Sequence, residues 1–146
     1  MKNLIAGLLL LIISFPAMAA QPEDIIGRYW SENQMGVIEI YADQGVYNGR
    51  IVWRLEPMLD ENNPDPALRG RSIVGIQFME GFQYDPSNDQ WRGGDVYAPD
   101  NGSTYSGKMW LENEGQTLKM RGFIGISLFG RTAEFQRLAP DETVPQ

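Results

Sequence analysis

The feature that most constrains this chain is a rhythm of short apolar runs. Each run is rich in β-branched and aromatic residues, and Gly, Asn, Asp or Pro interrupts it at intervals of roughly 8–12 residues, the pattern of an all-β protein. Eight runs are legible: Ile25 to Ser31, Gly36 to Tyr41, Val46 to Trp53, Ile73 to Met79, Gln90 to Tyr97, Thr104 to Leu111, Thr117 to Phe123 and Arg131 to Leu138. The fourth is expected to continue through Gly81 to Tyr84 past a bulge at Glu80-Gly81. Most connections are short, which makes neighbours in sequence antiparallel neighbours in space. Eight such strands leave two raw edges, and closure removes both. The expected fold is therefore all-β, an eight-stranded antiparallel up-and-down barrel. A flattened two-sheet sandwich is the alternative. A barrel of this size is either filled by its own side chains or holds one small ligand.

Two connections are longer. In Arg54 to Ser72, Asn63 is placed to cap a short helical turn with Pro64 at its first position. The other, Ile124 to Phe129, is apolar. Folded inward it would be a plug or lid; exposed, it would be a contact site for a membrane or for a partner protein of the cell envelope. No internal repeat or linker suggests a second domain.

The first residues read as an address. Lys2 gives a positive start, Leu4 to Phe15 is almost wholly apolar, Pro16 breaks the run, and Ala17-Met18-Ala19 has the small-x-small form of a cleavage site. About 12 apolar residues are too few for a membrane span, which needs roughly 20. The expectation is a signal peptide over 1–19, cleaved after Ala19, and a single domain over 20–146. The product would be periplasmic or secreted, with no stable membrane anchor.

Composition narrows the chemistry. The 146 residues include no cysteine and no histidine, and 19 acidic against 12 basic groups give a net charge of −7. Serine or cysteine nucleophiles paired with histidine are excluded. So are thiolate and imidazole metal sites. The acidic balance argues against nucleic acid. Asp60-Glu61-Asn62-Asn63-Pro64-Asp65 is only faintly like a calcium loop, lacking the glycine and terminal glutamate of an EF-hand. Asp85/Asp89, Asp95/Asp100 and Glu112/Glu114 fall mostly in turns, where turn chemistry accounts for them without hydrolytic catalysis. No catalytic residue, metal site or cofactor is expected.

The candidates for binding are aromatic and cationic. A wall of aromatics with a few hydroxyls suits an apolar ligand with a polar head. Trp53, Phe78, Trp91, Tyr97 and Tyr105 are the candidate walls, and Arg71 or Arg121 would meet the head. The competing reading is that the aromatics fill the core and the arginines sit in solvent. Arg131 could instead stack on Trp30 and close one end of the barrel through a cation–π contact.

Several segments carry a family resemblance. They are Gly27-Arg28-Tyr29-Trp30, Val37-Ile38-Glu39-Ile40-Tyr41, Gly49-Arg50-Ile51-Val52-Trp53, Asn63-Pro64-Asp65-Pro66-Ala67-Leu68-Arg69, Trp91-Arg92-Gly93-Gly94, the run from Tyr97 to Ser106, Met120-Arg121-Gly122 and Gly130-Arg131-Thr132. Together they resemble the exported bacterial family catalogued as domain of unknown function 2147, over about Ile25 to Leu138. The resemblance implies a lipocalin-like barrel of the cell envelope with an internal pocket, and it implies no catalytic residue. The functional expectation is a binding protein for a small hydrophobic or amphipathic ligand. The alternative is an interaction module with a filled barrel and an exposed apolar loop.

Overall fold

The computed structural model describes residues 18–126, 128 and 130–146. Most of the expected leader, and Ser127 and Phe129 of the apolar connection, lie outside the described residues. Eight strands form a closed antiparallel barrel in sequence order. They are β1 (Gly27–Trp30), β2 (Gly36–Asp43), β3 (Val46–Arg54), β4 (Gln77–Asp85), β5 (Gln90–Ala98), β6 (Ser103–Glu112), β7 (Thr117–Phe123) and β8 (Gly130–Arg137). The barrel closes where Tyr29 pairs with Arg137 and Trp30 with Gln136.

Two strands begin later than their apolar runs. Ile25 belongs to a 3-10 turn, Pro22–Ile25, and is fully buried there. Ile73 and Ile76 are buried from within the connection before β4. Gly75, at φ +95, turns that segment, and its N–H donates to the Ile51 carbonyl at 2.7 Å. A loop that feeds apolar side chains into a core reads like a strand. The bulge in β4 is present: Tyr47 pairs with Phe82 but Gly49 with Met79, which leaves an extra residue on β4. Gly81 takes φ +80 there, and its freed N–H donates to Asn48 Oδ1 at 3.1 Å.

The two ends of the barrel differ. Odd strands run toward one end, where every longer connection lies. At the other end residues 20–26 plug the opening. Trp91 Nε1 donates to the Pro22 carbonyl at 3.1 Å, and the Tyr29 hydroxyl donates to the Ile25 carbonyl at 2.7 Å. Arg137 ties the seam together. Its guanidinium donates to the carbonyls of Asp24, Ile26 and Gly115 and lies 4.7 Å from the centre of the Tyr29 ring. The arginine that closes an end is thus Arg137 on Tyr29, not Arg131 on Trp30. Trp30 instead meets Trp53 edge to face at 5.7 Å and donates to Glu142. Burial pushes the Tyr29 hydroxyl up to about 12, against the lowering pull of Arg137, so it stays protonated as a donor.

The core fills this closed half and continues through Ile73, Ile76 and Phe78 on the β3–β4 side of the open end. Tyr47, Phe82, Trp91, Met109 and Leu118 are buried together above the plug. The Phe82 ring lies across the paired Gly94 and Gly107, where a Cβ would come within 2.3 and 2.7 Å of it. The glycines are therefore the seat of that ring, and no larger residue fits beneath it.

Candidate functional site

The open half of the barrel is hollow on its β5–β8 side, and the reason is side-chain size. A cavity of about 430 Å³ opens where Val96 and Ala98 of β5, Tyr105 of β6, Gly122 of β7 and Ala133 of β8 line the wall, with Met120 among its lining residues. Val96, Ala98, Gly122 and Ala133 are small where the inward positions of the closed half carry Phe82 and Trp91. A second hollow of about 420 Å³, lined by Ile51, Met58, Ile73 and Phe135, shares Asp100, Arg131 and Ala133 with the first. Pockets of a few hundred Å³ with mostly apolar walls are the usual size for one small molecule.

The polar groups gather at the rim. The Tyr105 hydroxyl accepts from Asn101 Nδ2 at 2.9 Å, which leaves its own proton available. Arg131 is exposed at the rim of both hollows and makes no ion pair among the described residues. Asp100 is the one carboxylate among the residues lining the larger cavity. The arrangement offers an apolar body site under a guanidinium, a phenol and an amide.

The long connection between β3 and β4 forms one side of this rim. It leaves the barrel as a narrow excursion, with Leu59 bridged to Ser72 and the Asp60 N–H donating to the Arg71 carbonyl at 3.0 Å. Its anchor is Asp60, which is fully buried. Tyr97 of β5 donates to Oδ1, and Asn63 Nδ2 at 2.7 Å, Arg71 Nε at 3.0 Å and Arg71 Nη2 at 2.9 Å reach Oδ2. Burial pushes the Asp60 carboxyl up, but these hydrogen bonds and the Arg71 charge outweigh it and hold the group below the ordinary carboxylate range. Asn62 extends the contact by donating to the Asp100 carbonyl at 2.9 Å. Gly102 permits that approach, since it adopts φ +71 and a Cβ there would stand 1.9 Å from the Asn62 carbonyl oxygen. The acidic segment 60–65 is thus a structural clamp. The short 3-10 turn that follows it is Pro66–Leu68, capped by Asp65 rather than Asn63.

Of the seven candidate ligand residues, Tyr105 lines the larger cavity. Tyr97 and Arg71 are brought together on Asp60. Trp91 faces inward but at the plugged end, on Pro22. Phe78 is buried in the core cluster. Trp53 sits against Trp30. Arg121 binds the Thr132 hydroxyl and the Leu128 carbonyl, bracing the apolar connection from outside. The sequence offers Arg131, like the other arginines, as a partner for an anionic head as well as a stacking residue, and the structure makes it the cation at the rim. The parity of β7 and β8 could have found it: Gly122 pairs with Arg131, and Gly122 faces the cavity.

A closed eight-stranded antiparallel barrel with one plugged end and one partly hollow end is a lipocalin-like fold. The chain belongs to the family described as uncharacterized protein conserved in bacteria (DUF2147), whose pattern matches residues 27–137. No curated protein matches it. Among solved structures it is similar to protein HP1028 from Helicobacter pylori, described as belonging to the lipocalin family, at 21% identity, with a TM-score of 0.71 over 80% of this chain and 84% of that one. At that identity the likeness establishes the shared barrel.

Proposed function

We propose that this chain is an exported, non-enzymatic binding protein that holds one small hydrophobic or amphipathic molecule in the open half of its barrel. The observation that carries this reading is the hollow of about 430 Å³ above a solid closed half, walled by small apolar residues and rimmed by Arg131 and Tyr105. An apolar body would displace water from Val96, Ala98, Met120 and Ala133, and a polar head would remain at the rim. A barrel acting only through its surface would have no reason to keep this half unfilled.

Native mass spectrometry of the protein from its own periplasm, against its denatured mass, tests the reading. A discrete extra mass that leaves on denaturation supports it. In parallel, Ala133→Phe should fill the cavity and weaken binding of an apolar fluorescent probe by at least about tenfold, with the fold retained. Undiminished probe binding by Ala133→Phe would overturn the assignment of the cavity. Arg131→Ala should weaken a fatty-acid probe more than its neutral alcohol.

The periplasmic or secreted location, with cleavage after Ala19, is part of the proposal. One contact supports it. The Ala20 nitrogen lies 3.2 and 3.3 Å from the two carboxylate oxygens of Asp89. Cleavage there would turn that amide into an ammonium already seated on an acid. An intact mass beginning at Ala20 is expected, and an unprocessed mass would sink the proposal.

A further inference from the structure

We infer that the open rim of the barrel docks on a phospholipid bilayer, with the β7–β8 connection as its inserting tip. Three side chains carry the tip: Ile124, Ile126 and Leu128 are 72%, 59% and 74% exposed. They do not stand alone. Leu55, Leu68 and Val74 of the β3–β4 connection are exposed at the same end. Among the described residues, the exposed large apolar side chains outside this end are Met18 and Ile26. Apolar side chains exposed on several loops around one mouth offer no single shaped face. A fluid bilayer interface accepts such scattered tips, whereas a folded partner would need a complementary surface.

Charge points the same way. The turns and strand ends at the plugged end carry Glu23, Asp24, Asp85, Asp89, Glu112 and Glu114, in excess of Arg92, Lys119 and Arg137 at the strand ends there. The open end carries Arg54, Arg69, Arg71, Arg121 and Arg131, which nearly balance the acids of the same connections. The molecule is therefore polarised along the barrel axis. Its acidic end is repelled by lipid phosphates, and its arginine-bearing, apolar end is turned toward them. Arg131 lines the cavity mouth together with Ile124, so its guanidinium stands at the rim beside the base of the tip. This contact goes beyond the binding reading and does not require it, because docking involves the outside of the rim whether or not the cavity is filled.

The test uses the chain from Ala20 to Gln146, which contains every strand and the plug, and vesicles of phosphatidylethanolamine with phosphatidylglycerol. The parent should co-sediment with vesicles. The triple variant Ile124→Ser, Ile126→Ser, Leu128→Ser should lose at least about tenfold in partitioning while keeping its Tm, and the double variant Ile126→Ser, Leu128→Ser, which leaves the cavity-lining Ile124 in place, should also lose partitioning while keeping its affinity for a soluble apolar probe. In Ile126→Trp, the added emission should shift to the blue on vesicles and be quenched by brominated lipid. A parent that does not sediment, a triple variant that sediments as well as the parent, or an Ile126→Trp emission unmoved by lipid would each overturn docking. Self-association removed by the triple variant, without vesicle binding, would also overturn it and assign the tip to a second copy of the chain. Probe binding, read separately, keeps failure of docking distinct from failure of the cavity.

Discussion

Asp60 shows how one residue fixes the shape of the rim. A carboxylate removed from water is tolerated only when its charge is met, and here a phenol, an amide and a guanidinium meet it. Asp60→Asn removes the charge and forces an amide to face donors, and it should cost about 2–3 kcal/mol, read as a lower midpoint in urea. Tyr97→Phe removes one donor and should cost about 1 kcal/mol. The pH dependence follows from the depressed carboxyl. A carboxyl lowered in the folded state contributes its full stability above its unfolded value, about 4. That contribution fades as pH falls from there through the folded value. The gap in Tm between the parent and Asp60→Asn should be constant from pH 7 to about 5 and should narrow below about 4. A gap independent of pH down to 2 would show that the charge of Asp60 is not what holds the loop. This cluster was the least legible part of the sequence. Its members are scattered over the stretch from Asp60 to Tyr97, and a string of acids with asparagine and proline reads as an ordinary solvated turn.

The strands themselves were legible because turn residues and alternation are local signals. Asp43-Gln44-Gly45 and Glu112-Asn113-Glu114-Gly115 mark their turns wherever the rest of the chain goes. Alternation also says which side chains point inward, but it does not say how deep they lie. Trp91 and Val96, five residues apart on β5, both face the barrel interior because a bulge between Arg92 and Gly94 resets the alternation, yet one rests on the plug and the other lines the cavity. Depth follows from strand direction: in this meander the ends of odd strands and the starts of even strands surround the mouth. Candidate residues chosen for aromatic character alone therefore fell at both ends. The weakest element is the seam. β1 is four residues long and meets β8 at Tyr29 and Trp30, whereas β7 and β8 are paired from Thr117 to Phe123. Arg137 compensates by holding three carbonyls of the plug and of the β6–β7 turn. Arg137→Met keeps much of the stem and removes those bonds. It should cost about 2–3 kcal/mol and raise amide exchange at β1 before any other strand. Uniformly raised exchange would mean that the seam opens only with the whole barrel.

At the scale of the molecule, the plug ties the start of the described chain to the barrel. Residues 20–26 fold back under the barrel, and the Ala20 nitrogen meets the carboxylate of Asp89. The Tyr84 hydroxyl lies 2.6 Å from the Ala20 carbonyl and 2.8 Å from Asp89 Oδ1, so the three groups form one patch. Burial, with Asp89 adding to it, pushes the Tyr84 hydroxyl up to about 12, and it remains a donor. In a chain that still carries its leader, Asp89 accepts a neutral amide proton. In a chain that begins at Ala20, it would face an ammonium, and the bond becomes a charged one. Asp89→Asn should therefore lower the Tm of a chain beginning at Ala20 by about 2–4 °C, and that of a chain retaining residues before Ala20 by less. Both chains should be compared at low ionic strength and again in about 1 M salt, where the difference between them should shrink because the pair is exposed to screening. Equal losses in both chains at low salt would mean that Asp89 serves the turn alone, and that the free amino group contributes nothing to the plug.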